Sequence, residues 1–133
     1  MKLLLILFSS FFLSFSSANT NVSSSSSVDK AMQVLDSFML NFNSRNMEAW
    51  SETLNYPHVR LAGGDVKVWA NKQEYSSVDI FDGLAATGWH HSVWVSRKVV
   101  LESKNKVHIS TVFQRYDEND KPLKNYQSLY IVT

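Results

Sequence analysis

From Val28 onward, apolar side chains return at intervals of three and four: Val28, Ala31, Met32, Leu35, Phe38, Met39 and Phe42. These positions share one face of a helix of four turns. Ser27 is placed to cap it, and Asp29 in the first turn suits the helix dipole. "NFNSR" (41–45) interrupts the period. Asn46 then caps a short second helix with Met47, Trp50 and Leu54 on one side. Pro57 ends that region, because the residue before a proline is driven out of the α conformation.

The period changes to two in "NYPHVRLAGGDVKVW" (55–69). Gly63 and Gly64 can both take positive φ, which suits a two-residue hairpin turn. That tip sets Leu61 opposite Val66 and Val59 opposite Val68 on one face, with Arg60 facing Lys67 and His58 facing Trp69 on the other. Slipping by one residue would exchange the faces. The apolar four are expected to seal the interior, and His58 with Trp69 to form a paired rim. Asn71 with Glu74 makes a variant capping box. It opens a third helix predicted over 72–86, carrying Tyr75, Val78, Phe81 and Leu84 or Ala85, and closed by Gly88. Three strands follow, Trp89 to Leu101, Val107 to Tyr116 and Leu123 to Val132, separated by "ESKNK" and "DENDKP". They are expected to form an antiparallel meander. Placing Leu101 opposite Val107 collects Val93, Val95, Val99, Leu101, Val107, Ile109, Phe113 and Arg115 on one face. Trp94, Val100, Val112 and Tyr116 fall on the other, an apolar outer face suited to a homodimer. The fold class is α+β, with helices packed on one face of an antiparallel sheet.

The chain start has another character. Met1-Lys2 precedes "LLLILF" and "SSFFLSFSSA", with small residues at Ser16 and Ala18. That is the pattern of a cleavable signal peptide over 1–18. The apolar stretch is short for a helix crossing roughly 30 Å of hydrocarbon; an uncleaved anchor is the alternative. "NTNVSSSSS" (19–27) reads as a flexible tether, which leaves 28–133 as the folded domain. The expected location is secreted or periplasmic. Of the 133 residues none is cysteine, which excludes disulfides, thiolate metal sites and lipidation through a cysteine. Net charge is +1, and removing Lys2 with the leader brings it to zero. No basic surplus is left to suit a nucleic-acid partner. No phosphate loop or nucleophile elbow is present, and no cofactor is implied.

The segments "FNSRNMEAWSETLNYPHVRLAGGDVKVW", "GWHHS", "KVHISTVFQRYD" and "YQSLYIVT" resemble the SnoaL-like branch of the NTF2-like superfamily, over most of 28–133. The resemblance implies a strongly curved sheet wrapped around helices, a cone enclosing an apolar pocket. It covers isomerases, cyclases, dehydratases and dimerising adaptors, so it does not choose an activity. It also implies one further strand after "SLYIVT", which this sequence lacks. The expectation is that either the chain is a truncated fragment or an edge of its sheet is open.

Four residues are candidates for ligand binding: Trp50, Tyr56, His58 and Arg115. An arginine closing an apolar row needs a partner. Arg115 therefore holds a ligand carboxylate or carbonyl, or pairs with an acid of the protein such as Asp82 or Glu48, or is simply exposed near the strand end. His58 is the acid–base candidate, with Tyr56 as a donor to an oxyanion; the alternative is that both simply pack. His90 and His91 invite a metal. Neighbours on a strand point to opposite faces, however, and His108 lies on another strand, so no metal site is expected. Asp82 and Glu102 stand in no motif that makes either a general base. Trp50, Trp69, Trp89 and Trp94 suit core filling. Three functions are compatible with this set. The first is an exported protein binding a small, largely apolar molecule. The others are a proton-transfer enzyme using His58 and Tyr56, and a protein-interaction or dimerisation module. The first requires least.

Overall fold

The computed structural model describes residues 26–133. The expected signal peptide over 1–18 and residues 19–25 of the expected tether lie outside the described residues, while Ser26 and Ser27, expected in that tether, cap and begin the first helix. Four helices and five strands run in the order α1 (Ser27–Asn43), α2 (Met47–Glu52), β1 (His58–Ala62), β2 (Asp65–Trp69), α3 (Lys72–Ser76), α4 (Phe81–Ala85), β3 (His91–Ser103), β4 (Lys106–Tyr116) and β5 (Pro122–Val132). Two antiparallel sheets result: the hairpin β1-β2 and the meander β3-β4-β5.

The long helix forms on the face the period predicts, and Ala31, Leu35, Met39 and Phe42 are buried. Its cap is Ser26 rather than Ser27. The Ser26 hydroxyl accepts from the Asp29 amide, and the Asp29 carboxylate accepts from the Ser26 amide, a capping box satisfying two amides that lack helical partners. Asn46 and Asn71 cap α2 and α3 as expected, through the amides of Ala49 and Glu74.

In place of one helix over 72–86 there are two short ones. Ser77 turns its hydroxyl onto the Glu74 carbonyl. The Asp79 carboxylate accepts from the Asp82 amide. Between them Val78 and Ile80 are β-branched. Ser and Asp favour caps and turns over helix interiors, Val and Ile lose side-chain rotamer freedom in a helix, and together they outweigh the apolar period. Gly88, at φ +79°, ends α4 in the left-handed region, and the Trp89 amide reaches back to the Leu84 carbonyl.

The β1-β2 register is the predicted one, with Gly63 and Gly64 at φ +65° and +86°. Its facing is the reverse of that expected. Val59, Leu61, Val66 and Val68 are 59%, 74%, 65% and 55% exposed. It is His58 and Trp69 that turn inward, stacking at 5.7 Å and meeting Tyr75 at 5.3 and 5.0 Å. Aromatic area decides the facing. The two rings find an aromatic partner on α3, whereas no element among the described residues covers the aliphatic face.

The meander's inner face also differs from the simple alternation. Bulges between Trp94 and Ser96 and between Val99 and Leu101 shift the phase of β3. Leu101 therefore pairs with His108, not Val107, and Trp94 turns inward while Val93 and Val95 are exposed. On β4 the prediction holds: Val107, Ile109 and Thr111 are buried, with Phe113 and Arg115 following on the same face. From β5, Tyr126, Ser128, Tyr130 and Val132 pair with Phe113, Thr111, Ile109 and Val107 on that face. Bulges also bend and twist a sheet, which suits a concave inner surface.

Polar ties fix α1 against this surface. The Asn43 side chain donates to the Ser92 carbonyl at 2.8 Å and accepts from its amide at 2.9 Å. Arg97 reaches Asp36 at 2.6 Å, and the Trp94 indole donates to the Leu35 carbonyl. One core cluster gathers Met39, Phe42, Trp50, Tyr75 and Trp89; a second gathers Ala31, Leu35, Val107 and Ile109. Among the described residues no helix is long and apolar enough to cross a membrane.

Candidate functional site

Between the hairpin, the helices and the inner face of β4-β5 lies a cleft of about 1520 Å³. Phe38, Trp50 and Tyr75 line it from the helices, His58 and Arg60 from β1, and Phe113, Arg115, Tyr126 and Tyr130 from β4 and β5. Parity along the strands brings these groups together. His58 and Arg60 share a hairpin face; Phe113 and Arg115 share a face of β4, as Tyr126 and Tyr130 share one of β5.

Of the four expected ligand-binding residues, Trp50, His58 and Arg115 line the cleft. Trp50 is its floor rather than its wall, only 3% exposed, with Phe42, Phe38 and Tyr75 packed within 5.1 to 5.3 Å. Tyr56 is not among the lining residues. Its hydroxyl donates to the Ser51 carbonyl at 2.9 Å, and its ring meets His58 edge-on at 6.5 Å. The ring beside His58 at the cleft is Tyr75 instead. Arg60, Tyr75, Tyr126 and Tyr130 are among the lining residues that the sequence reading did not single out. Arg60 had a readable signal, because it shares a hairpin face with His58.

Neither acid considered for Arg115 reaches it. Glu48 pairs with Lys72, and Asp82 forms no ion pair among the described residues. The Arg115 guanidinium lies 4.3 Å over the Tyr126 ring, and Nη1 donates to the Tyr126 hydroxyl at 3.3 Å. Its Nε is buried without a partner. Burial lowers the pKa of Arg115; Tyr126 opposes this and the charge of Arg60 adds to it. Burial, then Arg60, also lowers His58 below the usual imidazole value. Desolvation raises Tyr75 and takes Tyr130 to about 12. At neutral pH the cleft therefore presents two guanidinium cations, a neutral imidazole and neutral phenols.

The other candidates lie elsewhere. His90 precedes β3, so strand alternation does not separate it from His91, and their Nδ1 atoms are 3.2 Å apart. His91 stacks on Tyr116 and approaches Asp120 at 3.6 Å. No group of three metal-ligating side chains forms among the described residues. Glu102, at the end of β3 rather than in a turn, accepts from the Ser27 hydroxyl. His108 is on the outer sheet face between Leu101 and Ile131.

Residues 29–133 match the family model described as NTF2-like protein (DUF6841). The chain belongs to this NTF2-like family. No curated protein matches it. Among solved structures, the NTF2-like domain is similar to one described as a calcium/calmodulin dependent protein kinase II association domain from Xanthomonas campestris. The identity is 14% and the TM-score 0.48, over 81% of this chain and 79% of the other.

Proposed function

We propose that this NTF2-like protein binds a small, largely apolar molecule in the cleft between its helices and its inner sheet face. The supporting observation is the cleft itself: aromatic walls, with His58, Arg60 and Arg115 converging on one hollow. Its volume exceeds the roughly 300–1,000 Å³ of common ligand sites, so a drug-sized molecule has room. Catalysis receives less support. His58 is neutral and placed to accept a proton, but Tyr56 is committed to a backbone carbonyl and no carboxylate stands beside the imidazole in a general-base arrangement. Within the family we assign the chain to the SnoaL-like branch, on the sequence segments quoted above, and we assign it to the exported proteins on its N-terminal pattern.

Native mass spectrometry of protein purified from its host tests this reading. The expected spectrum shows a chain starting near Asn19 and carrying a discrete small-molecule adduct. Adduct-free protein throughout would remove the binding proposal, and a chain still starting at Met1 would remove export.

A second reading, homodimerisation through the sheet, is favoured by the outer face. Val93, Val95, Leu101, Leu129 and Ile131 are all about half exposed there. Trp94 takes no part, because it faces inward. Sedimentation velocity should show a dimer that Leu129→Lys with Ile131→Lys converts to monomer. A wild-type monomer at tens of micromolar would end this reading.

A further inference from the structure

The cleft has an unbalanced charge. Arg60 of β1 and Arg115 of β4 line it, as does Lys30 of α1, and none of the three forms an ion pair among the described residues. The only acidic side chain lining the cleft among the described residues, Glu52, is largely exposed and accepts from Lys72 at 2.8 Å. A guanidinium offers five N–H donors in a planar fork that matches a carboxylate. Arg115 spends one on Tyr126 Oη and keeps Nε buried without a partner. Arg115 is half withdrawn from water, which lowers its pKa, and the charge of the exposed Arg60 acts in the same sense. An anion between the two arginines would offset their repulsion and use the spare donors. Rings line the same cleft: Phe113 and Tyr130 as walls and Trp50 as floor. They give an apolar body a surface and offer no second charge.

We infer that the ligand is a carboxylic acid with an apolar, preferentially aromatic body, its carboxylate held between Arg115 and Arg60. The inference rests on the reading of the cleft as a small-molecule site and narrows it to one class. Arg115, set by the Tyr126 ring beneath it, fixes the direction of the carboxylate. Arg60, on the exposed hairpin, supplies the second cation.

Isothermal titration with 1-naphthaleneacetate and its neutral isostere 1-naphthaleneacetamide separates the two levels of the claim; octanoate and octanamide serve as an aliphatic pair. In each pair the acid should bind at least about ten-fold more tightly, the scale of one charge-assisted bidentate contact. Arg60→Gln and Arg115→Gln should each bring the acid to within about two-fold of the amide measured on the same variant. Arg60 is exposed, so its variant keeps the test open should Arg115→Gln fail to fold. Equal binding of acid and amide would overturn the carboxylate inference and leave the cleft as an apolar site. An acid preference that survives both substitutions would overturn it as well. If neither member of either pair binds, the cleft reading falls too.

Discussion

His58 shows how one side chain acquires a property its sequence position does not state. It is half-buried between Trp69 and Tyr75, with a guanidinium two residues along the same strand face. Both surroundings oppose the imidazolium, so its folded-state pKa lies below 6.5. The sign of the pH dependence follows. The unfolded chain takes up the proton first as pH falls, so this residue's contribution is intact above about pH 6.5 and is lost as pH drops through the folded value. Imidazole titration by NMR should give a value below that of a model peptide, and Arg60→Gln should raise it. His58→Gln should flatten stability against pH in this window. Trp50 has a different weight. It is enclosed by Phe38, Phe42 and Tyr75, so Trp50→Ala should cost about 3–5 kcal/mol in chemical denaturation. A loss under 1 kcal/mol would mean that it is not core.

Elements are decided by short-range chemistry where they begin and by neighbours where they face. Ser26, Asn46 and Asn71 each accept from an amide three residues on, which is why three helix starts stand within a residue of their expected places. Asn46→Ala should cost about 1 kcal/mol, with α2 fraying by circular dichroism. The hairpin is the opposite case. Alternation fixed its register but could not say which face met the protein. Exchange of Val59 and Val68 for Thr should therefore change stability by no more than about 0.5 kcal/mol, as on an exposed surface. Trp69→Ala should cost several times that, because it strips the stack from His58 and Tyr75. The reverse order in thermal melts would show the aliphatic face to be covered.

At the scale of the molecule, two sheets and four helices leave a hollow rather than a sealed core. β4 is paired on both sides and carries Ile109 and Thr111 fully buried, whereas β1 and β5 each pair on one side only. Hydrogen exchange should then be slowest along β4 and fastest along the outward edges of β1 and β5. Uniform protection of all five strands would imply that those edges are covered in solution. The same openness lets Arg60 and Arg115, fifty-five positions apart in the chain, face one cleft.

The amino-acid sequence alone determined the caps, the hairpin register, the inner face of β4 and the α+β class. Each depends on groups a few residues apart, or on a period that any neighbour would read the same way. Tertiary structure decided the bulged phase of β3 and the inward turn of the His58–Trp69 face, whereas the break between α3 and α4 rests on local bonds at Ser77 and Asp79 that the apolar period masked. Tertiary structure also drew Tyr56 away from the cleft and Arg60, Tyr75, Tyr126 and Tyr130 into it. The reason is that local pattern states which residues share a face, while the identity of what lies opposite that face is fixed only when the elements pack.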